Sequence, residues 1–170
     1  MKTVKIIITF LIILTVLFFA TGLVIKQSSY SLITTINKPL EEVFSMFTNI
    51  ETKTEWNPEF REVDIVDEKL GITGSVYLIK ILHKNQTVFV KEKVLAYVKN
   101  EKITSFFDRE GVLETDDYTF ARDGENTIIS LQASYQAKSY ILGCILPYFK
   151  SNFKKIDELS LSNFKTFAEK

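Results

Sequence analysis

After Lys138 the hydrophobic pattern of this chain changes period, and that change constrains the fold more than any other feature. Before it, apolar residues recur at every second position. "TIISLQASYQA" alternates cleanly, with Ile129, Leu131, Ala133 and Tyr135 on one face and Ser130, Gln132, Ser134 and Gln136 on the other. One dry and one wet face predict an antiparallel sheet covered on a single side. After Lys138, "YILGCIL" is interrupted by Pro147. Phe149, Phe153, Ile156, Ser160, Phe164 and Phe167, flanked by Leu159, then recur at three- and four-residue steps. That spacing predicts a long amphipathic helix running to the end of the sequence. The dry face of the sheet and the apolar stripe of the helix can cover each other.

More strand signals precede the last one. "FREVDIV" and "SVYLIKIL" are separated by the glycine-marked "LGITG". "HKNQ", "KNEK", "EG" and the Asp-Gly turn in "RDGEN" then separate "TVFVKEKVLAYV", "ITSFFDR", "VLETDDYTFA" and the final strand. Upstream, "YSLITTI" (Tyr30 to Ile36) has strand composition. Pro39 stands where a first helical position tolerates proline, and Glu41 and Glu42 suit the helix dipole. Leu40, Val43, Phe44 and Phe47 form one apolar face. "IETKTEW" predicts a second short helical turn, stopped before Pro58 because the residue preceding proline avoids helical angles. The expected class is α+β: a curved antiparallel sheet wrapped on a long C-terminal helix, with two short helices after the first strand.

The N-terminal part is different in kind. Ile6 to Ile25 carries no charge. At 1.5 Å per residue, about 20 helical residues span a bilayer core of roughly 30 Å. A cleaved secretory signal is the other reading, and "FFATG", with Ala20 and Gly22, is its only cleavage-like element. Lys2 and Lys5 precede the run and Lys26 follows it. The positive-inside rule therefore predicts a single-pass protein of the cell membrane with its domain on the extracytoplasmic side. The expected organisation is residues 1–29 as anchor and short link, and residues 30–170 as one domain.

Composition excludes several functions. The 170 residues carry 21 basic and 21 acidic side chains, so nucleic acid is not an expected partner. One cysteine and one histidine cannot assemble the usual zinc sets or an internal disulfide, so neither metal nor cofactor is expected. Hydrophobic residues make up 46% and the chain has 14 Phe, which predicts a large apolar interior or an apolar wall facing a ligand.

"INKPLEEVFSMFTN" with "EWNP" after the first strand, "DGENTIISLQASY" in the last strand and "GCILPYF...LSNFKTFAEK" in the final helix resemble the START-like helix-grip superfamily. The likeness is to its bacterial polyketide cyclase/dehydrase and lipid-transport (SRPBCC) branch. It covers nearly all of Tyr30 to Lys170. It implies a deep pocket between the curved sheet and the final helix, closed by the short helices. The partner implied is a hydrophobic small molecule or lipid. A cyclase/dehydrase-type enzyme is the alternative.

The residues expected to line such a pocket are Tyr77, Ile79, Tyr118, Phe120, Leu131 and Tyr135 on strands, and Phe149 and Phe153 on the helix. Trp56, the only tryptophan, is expected at the pocket rim, as a ligand contact or as the anchor of a satellite core. If Tyr118 and Phe120 face inward, alternation carries Asp116 and Glu114 inward too. Burial would raise their pKa values and make them the candidate acid/base groups, Asp116 before Glu114. A bulge or an edge position would turn both to solvent instead. Arg109 and Arg122 are expected in surface ion pairs, His83 in a solvated hairpin, and Cys144 as a buried, inert thiol.

Overall fold

The computed structural model describes residues 2–83 and 86–170. Asn85 and the side chain of His83, expected in a solvated hairpin, therefore lie outside the described residues. Seven strands form one antiparallel sheet: β1 (Ser28–Ile36), β2 (Phe60–Asp67), β3 (Val76–His83), β4 (Gln86–Val98), β5 (Lys102–Arg109), β6 (Val112–Asp123) and β7 (Asn126–Ala137). Their spatial order is β1-β7-β6-β5-β4-β3-β2. Strands β2 to β7 are a meander, and β1 returns to pair with β7. Register shifts at Phe60/Glu62 and Ile65/Asp67 in β2, and at Val94/Ala96 in β4, bend the sheet.

The helices are α1 (Lys2–Val24), α2 (Leu40–Thr48), α3 (Lys53–Trp56), α4 (Tyr140–Ile145) and α5 (Lys150–Ala168). Short 3₁₀ turns occupy Ile50–Thr52 and Leu146–Phe149. Helices α2 and α3 carry the chain from β1 to β2 and meet α5, so the dry face is closed by three elements. Phe47 is the hub. Its ring lies 4.9 Å from Phe164 of α5, 5.2 Å from both Trp56 and Phe120, and 4.8 Å from Tyr118. Phe44 and Phe164 are almost fully buried.

The helix after Pro147 departs from its expected phase. Pro147 lacks an N–H, and the residues around it tighten into a 3₁₀ turn before α5 begins at Lys150. Phe149 therefore does not face the sheet, and it is 47% exposed. The buried side of α5 is Asp157, Ser160, Leu161, Phe164 and Ala168, with Phe153 half-buried, whereas Ile156 and Leu159 are turned outward. Strand β1 also starts earlier than the expected link allows, since Ser28 already pairs with Tyr135.

Helix α1 is long and apolar enough to cross a membrane. Its side chains are exposed along most of its length, and Gly22 is its one buried residue. Its last turns pack against α4. The Tyr140 hydroxyl donates to the Phe19 carbonyl at 2.6 Å, and the Thr21 hydroxyl donates to the Cys144 carbonyl at 3.2 Å. A side chain at position 22 would put its Cβ 2.5 Å from the Cys144 sulfur, so glycine is what permits this close approach.

A polar cleft between the final helix and the sheet

Three adjacent strands place polar groups on the otherwise dry face. On β4, Glu92 alternates with Val90 and Val94. On β5, Ser105 alternates with Ile103 and Phe107. On β6, Glu114 and Asp116 precede Phe120 at the same parity, and all of these are buried. Strands β5, β6 and β7 pair without a register shift, so no bulge turns Glu114 or Asp116 to solvent. Helix α5 adds Asp157 from above, and α3 adds Lys53 and Trp56.

Together with Phe60, Phe107, Tyr118, Arg109, Ile156 and Ser160 they line a cleft at the seam between α3, the sheet and α5. The cleft is partly open to solvent and holds about 50 Å³, room for a few water molecules. The deep apolar pocket that the resemblance implied is thus largely filled, because the rings around Phe47 close its inner end. Its floor is charged rather than apolar.

Two networks make up that floor. Lys53 Nζ lies 3.1 and 3.0 Å from the two Glu92 carboxylate oxygens, and the Ser105 hydroxyl donates to Glu92 Oε1 at 2.6 Å. In the second, Arg109 Nε is 2.5 Å from Glu114 Oε2, and its Nη1 reaches Glu59 at 3.5 Å. The Tyr135 hydroxyl donates to Glu114 at 2.7 Å, and the Tyr30 hydroxyl donates to Asp157 at 2.6 Å. Carboxylate oxygens of Glu114, Asp116 and Asp157 all lie within 4.8 Å of one another. That spacing suits a cation; the Tyr30 and Tyr135 hydroxyls donate to Asp157 and Glu114 and Arg109 is ion-paired with Glu114, while Glu114 Oε2 and Asp116 Oδ1 accept no hydrogen bond within the protein.

Crowding acids in a dry seam changes their chemistry. Burial pushes the Asp157 carboxyl up to about 7, with the Glu114 charge adding, against the hydrogen bonds from Tyr30 and Tyr135 and the Arg109 charge. Burial likewise raises the Asp116 carboxyl well above its ordinary range, with the charges of Glu114 and Asp157 adding. Asp116 Oδ1 and Trp56 Nε1 are both buried and have no hydrogen-bond partner in the protein. Such orphans are uncommon in folded interiors, and each costs about 1–3 kcal/mol until something bonds it.

Of the residues expected to line a pocket, Trp56 and Tyr118 border the cleft, as do Asp116 and Glu114. Tyr77 is buried beside it, its ring under the Lys53 ammonium at 5.7 Å. Ile79 belongs to a second apolar cluster with Phe60, Ile81, Val90 and Phe107, and Phe120 and Leu131 belong to the main core. Tyr135 touches the acid network, and Phe153 stacks on it at 4.3 Å. Phe149 does not reach the cleft. Arg109, expected in a surface pair, instead sits in the seam against Glu114. Arg122 does pair at the surface, with Glu41 at 2.5 Å. Cys144 is fully buried.

Asp157, Lys53 and Glu92 were not expected in a site. Alternation with Val90 and Val94 marks Glu92. For Asp157 the signal is its place one turn after Phe153 and one turn before Leu161.

No family model matches the sequence, and no curated protein matches it. Solved structures do. The Zhui aromatase/cyclase from Streptomyces sp. R1128 superposes with a TM-score of 0.72 at 11% identity, over 84% of this chain and 94% of that one. A START superfamily protein from Mycobacterium smegmatis gives 0.65 at 14% identity, over 78% and 93%. The di-domain ARO/CYC StfQ from the steffimycin biosynthetic pathway gives 0.70 at 11% identity, over 84% of this chain and 51% of that one. The fold is therefore the START-like helix-grip fold. At these identities the likeness fixes the fold alone.

Proposed function

We propose that this protein is a membrane-anchored binding module for an oxygenated hydrophobic small molecule or lipid, taken up in the cleft between α5 and the sheet. The observation that carries this reading is that Asp116 Oδ1 and Trp56 Nε1, on two residues lining the cleft, are both buried without a hydrogen-bond partner in the protein. A protonated Asp116 and the indole N–H are both donors, and each suits a carbonyl or hydroxyl oxygen. Phe60, Phe107, Tyr118 and Ile156 supply the apolar wall for the rest of the molecule. A ligand of ordinary size needs roughly 300 Å³ or more, so binding requires the outward-turned Ile156 side of α5 to swing away. Helix α1 holds the domain at the membrane, with the domain on the extracytoplasmic side.

The chain's only tryptophan stands in the cleft wall, so its emission reports occupancy. Full-length protein in detergent micelles, titrated with a long-chain methyl ketone, is expected to show a saturable emission change. The alkane of equal length should bind about 3–10-fold more weakly, the worth of one net hydrogen bond. Asp116→Ala should reduce that difference. No saturable change with either probe would overturn the reading.

The two acids with raised pKa values favour a second reading, catalysis of the cyclase/dehydrase type. Asp116 would give its proton to a ligand carbonyl oxygen while a deprotonated Asp157 takes the proton from the adjacent carbon, leaving an enol. Catalysed exchange of the ketone's α-protons for deuterium, lost in Asp116→Asn, would distinguish an enzyme from a binder.

A further inference from the structure

The segment from Tyr140 to Phe149 presents a row of large apolar side chains to solvent. Ile141 is 64% exposed, Tyr148 63%, Phe149 47% and Tyr140 45%. The other long stretch of exposed apolar side chains is α1 itself, and the two are in contact. Tyr140 and Cys144 meet α1 between Phe19 and Gly22. Those positions precede Ile25, the last residue of the uncharged run, by three to six residues, or about 5–9 Å along a helix. If α1 spans the bilayer, α4 is therefore held within the boundary between acyl chains and headgroups. An amphipathic helix lying in a membrane surface sinks its apolar face to a depth of about 5–10 Å. Tyrosines are enriched at that level, and basic side chains face the headgroups. Here Tyr140 and Tyr148 are accompanied by the exposed Lys26 and Lys150.

We infer that α4 and the 3₁₀ turn after it form a second membrane contact, seated in the interface beside the end of α1, with the lipid bilayer as its partner. The inference rests on α1 being in the membrane, as proposed above. It also orients the domain. The β5–β6 turn touches α4 through Gly111, where an added Cβ would lie 2.9 Å from Leu142 Cδ2. Arg109 of the cleft ends β5 immediately before that turn. From the Tyr148–Phe149 turn, α5 rises only about 10 Å to Ile156 at the cleft wall. The cleft thus faces the bilayer end of the domain, within reach of a ligand leaving the leaflet.

Single cysteines carrying an environment-sensitive fluorophore at positions 14, 123, 141 and 148 test this in full-length protein reconstituted into phosphatidylglycerol/phosphatidylcholine vesicles. The buried Cys144 stays in place and is expected to remain unlabelled. Asp123 ends β6 on the side away from Val112 and the β5–β6 turn, about 36 Å along the strand, and serves as the aqueous control. Nitroxide lipids labelled near the headgroup are expected to quench positions 141 and 148 at least twofold more than position 123. Nitroxides deep in the acyl chains should quench position 14. Quenching at 14 with 141 and 148 matching 123 would overturn the inference and leave the anchor standing. Absence of quenching at 14 would overturn the anchor, and the inference with it.

Discussion

Lys53→Ala is expected to lower the folding stability of the protein by about 3–5 kcal/mol, the range found when one partner of a buried ion pair is removed. Glu92 is 1% exposed, and its carboxylate would keep only the Ser105 hydroxyl as a partner. A domain of this size has about 5–15 kcal/mol in all, so the loss is a large fraction of the whole. The double variant Lys53→Met/Glu92→Leu should recover most of it, because a well-packed apolar pair avoids the desolvation cost of both charges. Denaturation of the full-length chain in detergent, with all variants measured alike, gives the comparison. A single-variant loss below about 1 kcal/mol would mean that the pair is solvated. The pair also holds α3, and with it Trp56, against β4. Ketone binding should therefore weaken in Lys53→Ala even where the protein stays folded.

Asp116→Asn is expected to act in the opposite direction at neutral and higher pH. The folded-state carboxyls of Asp116 and Asp157 titrate above their unfolded value near 3.8. Between the unfolded and folded values the native state binds more protons than the unfolded chain. The stability these groups contribute is complete below about pH 4 and is lost as pH rises, for Asp157 through about 7. An asparagine keeps the shape of the neutral acid and has no charge to bury. Asp116→Asn should therefore be more stable than wild type at pH 8 and lie close to it at pH 4. Thermal midpoints measured across that range check the sign. A variant less stable than wild type at pH 8 would mean that Asp116 is charged and partnered in the folded protein.

The legibility of this chain differs from one element to the next. Alternation in Ile129 to Tyr135 carried the sheet, and the same alternation through Glu114, Asp116, Tyr118 and Phe120 carried two acids to the inner face, because hydrogen-bonded strands keep parity wherever no bulge intervenes. Arg109 shares parity with Ile103, Ser105 and Phe107, yet an arginine at a strand end reads as a surface residue until Glu114 is seen on the neighbouring strand. Phe149 was misplaced because a 3₁₀ turn resets helical phase in a way that apolar spacing does not record. Asp157 was hidden because a stripe read by apolarity skips a carboxylate. Lys53 and Glu92 lie 39 residues apart. No local pattern joins them, and their pairing follows from the tertiary fold.

The central claim is that one oxygenated apolar molecule occupies the cleft, and native mass spectrometry of the full-length protein released from detergent tests it most directly. Ser160, buried on α5 at the cleft wall, can be replaced by Leu to fill the small cleft. The expected spectrum shows wild-type protein carrying a single small-molecule adduct per chain, with accurate mass giving a composition rich in carbon and holding at least one oxygen, and Ser160→Leu without it. Wild-type protein found only at its own mass, or adducts that Ser160→Leu retains undiminished, would contradict the account.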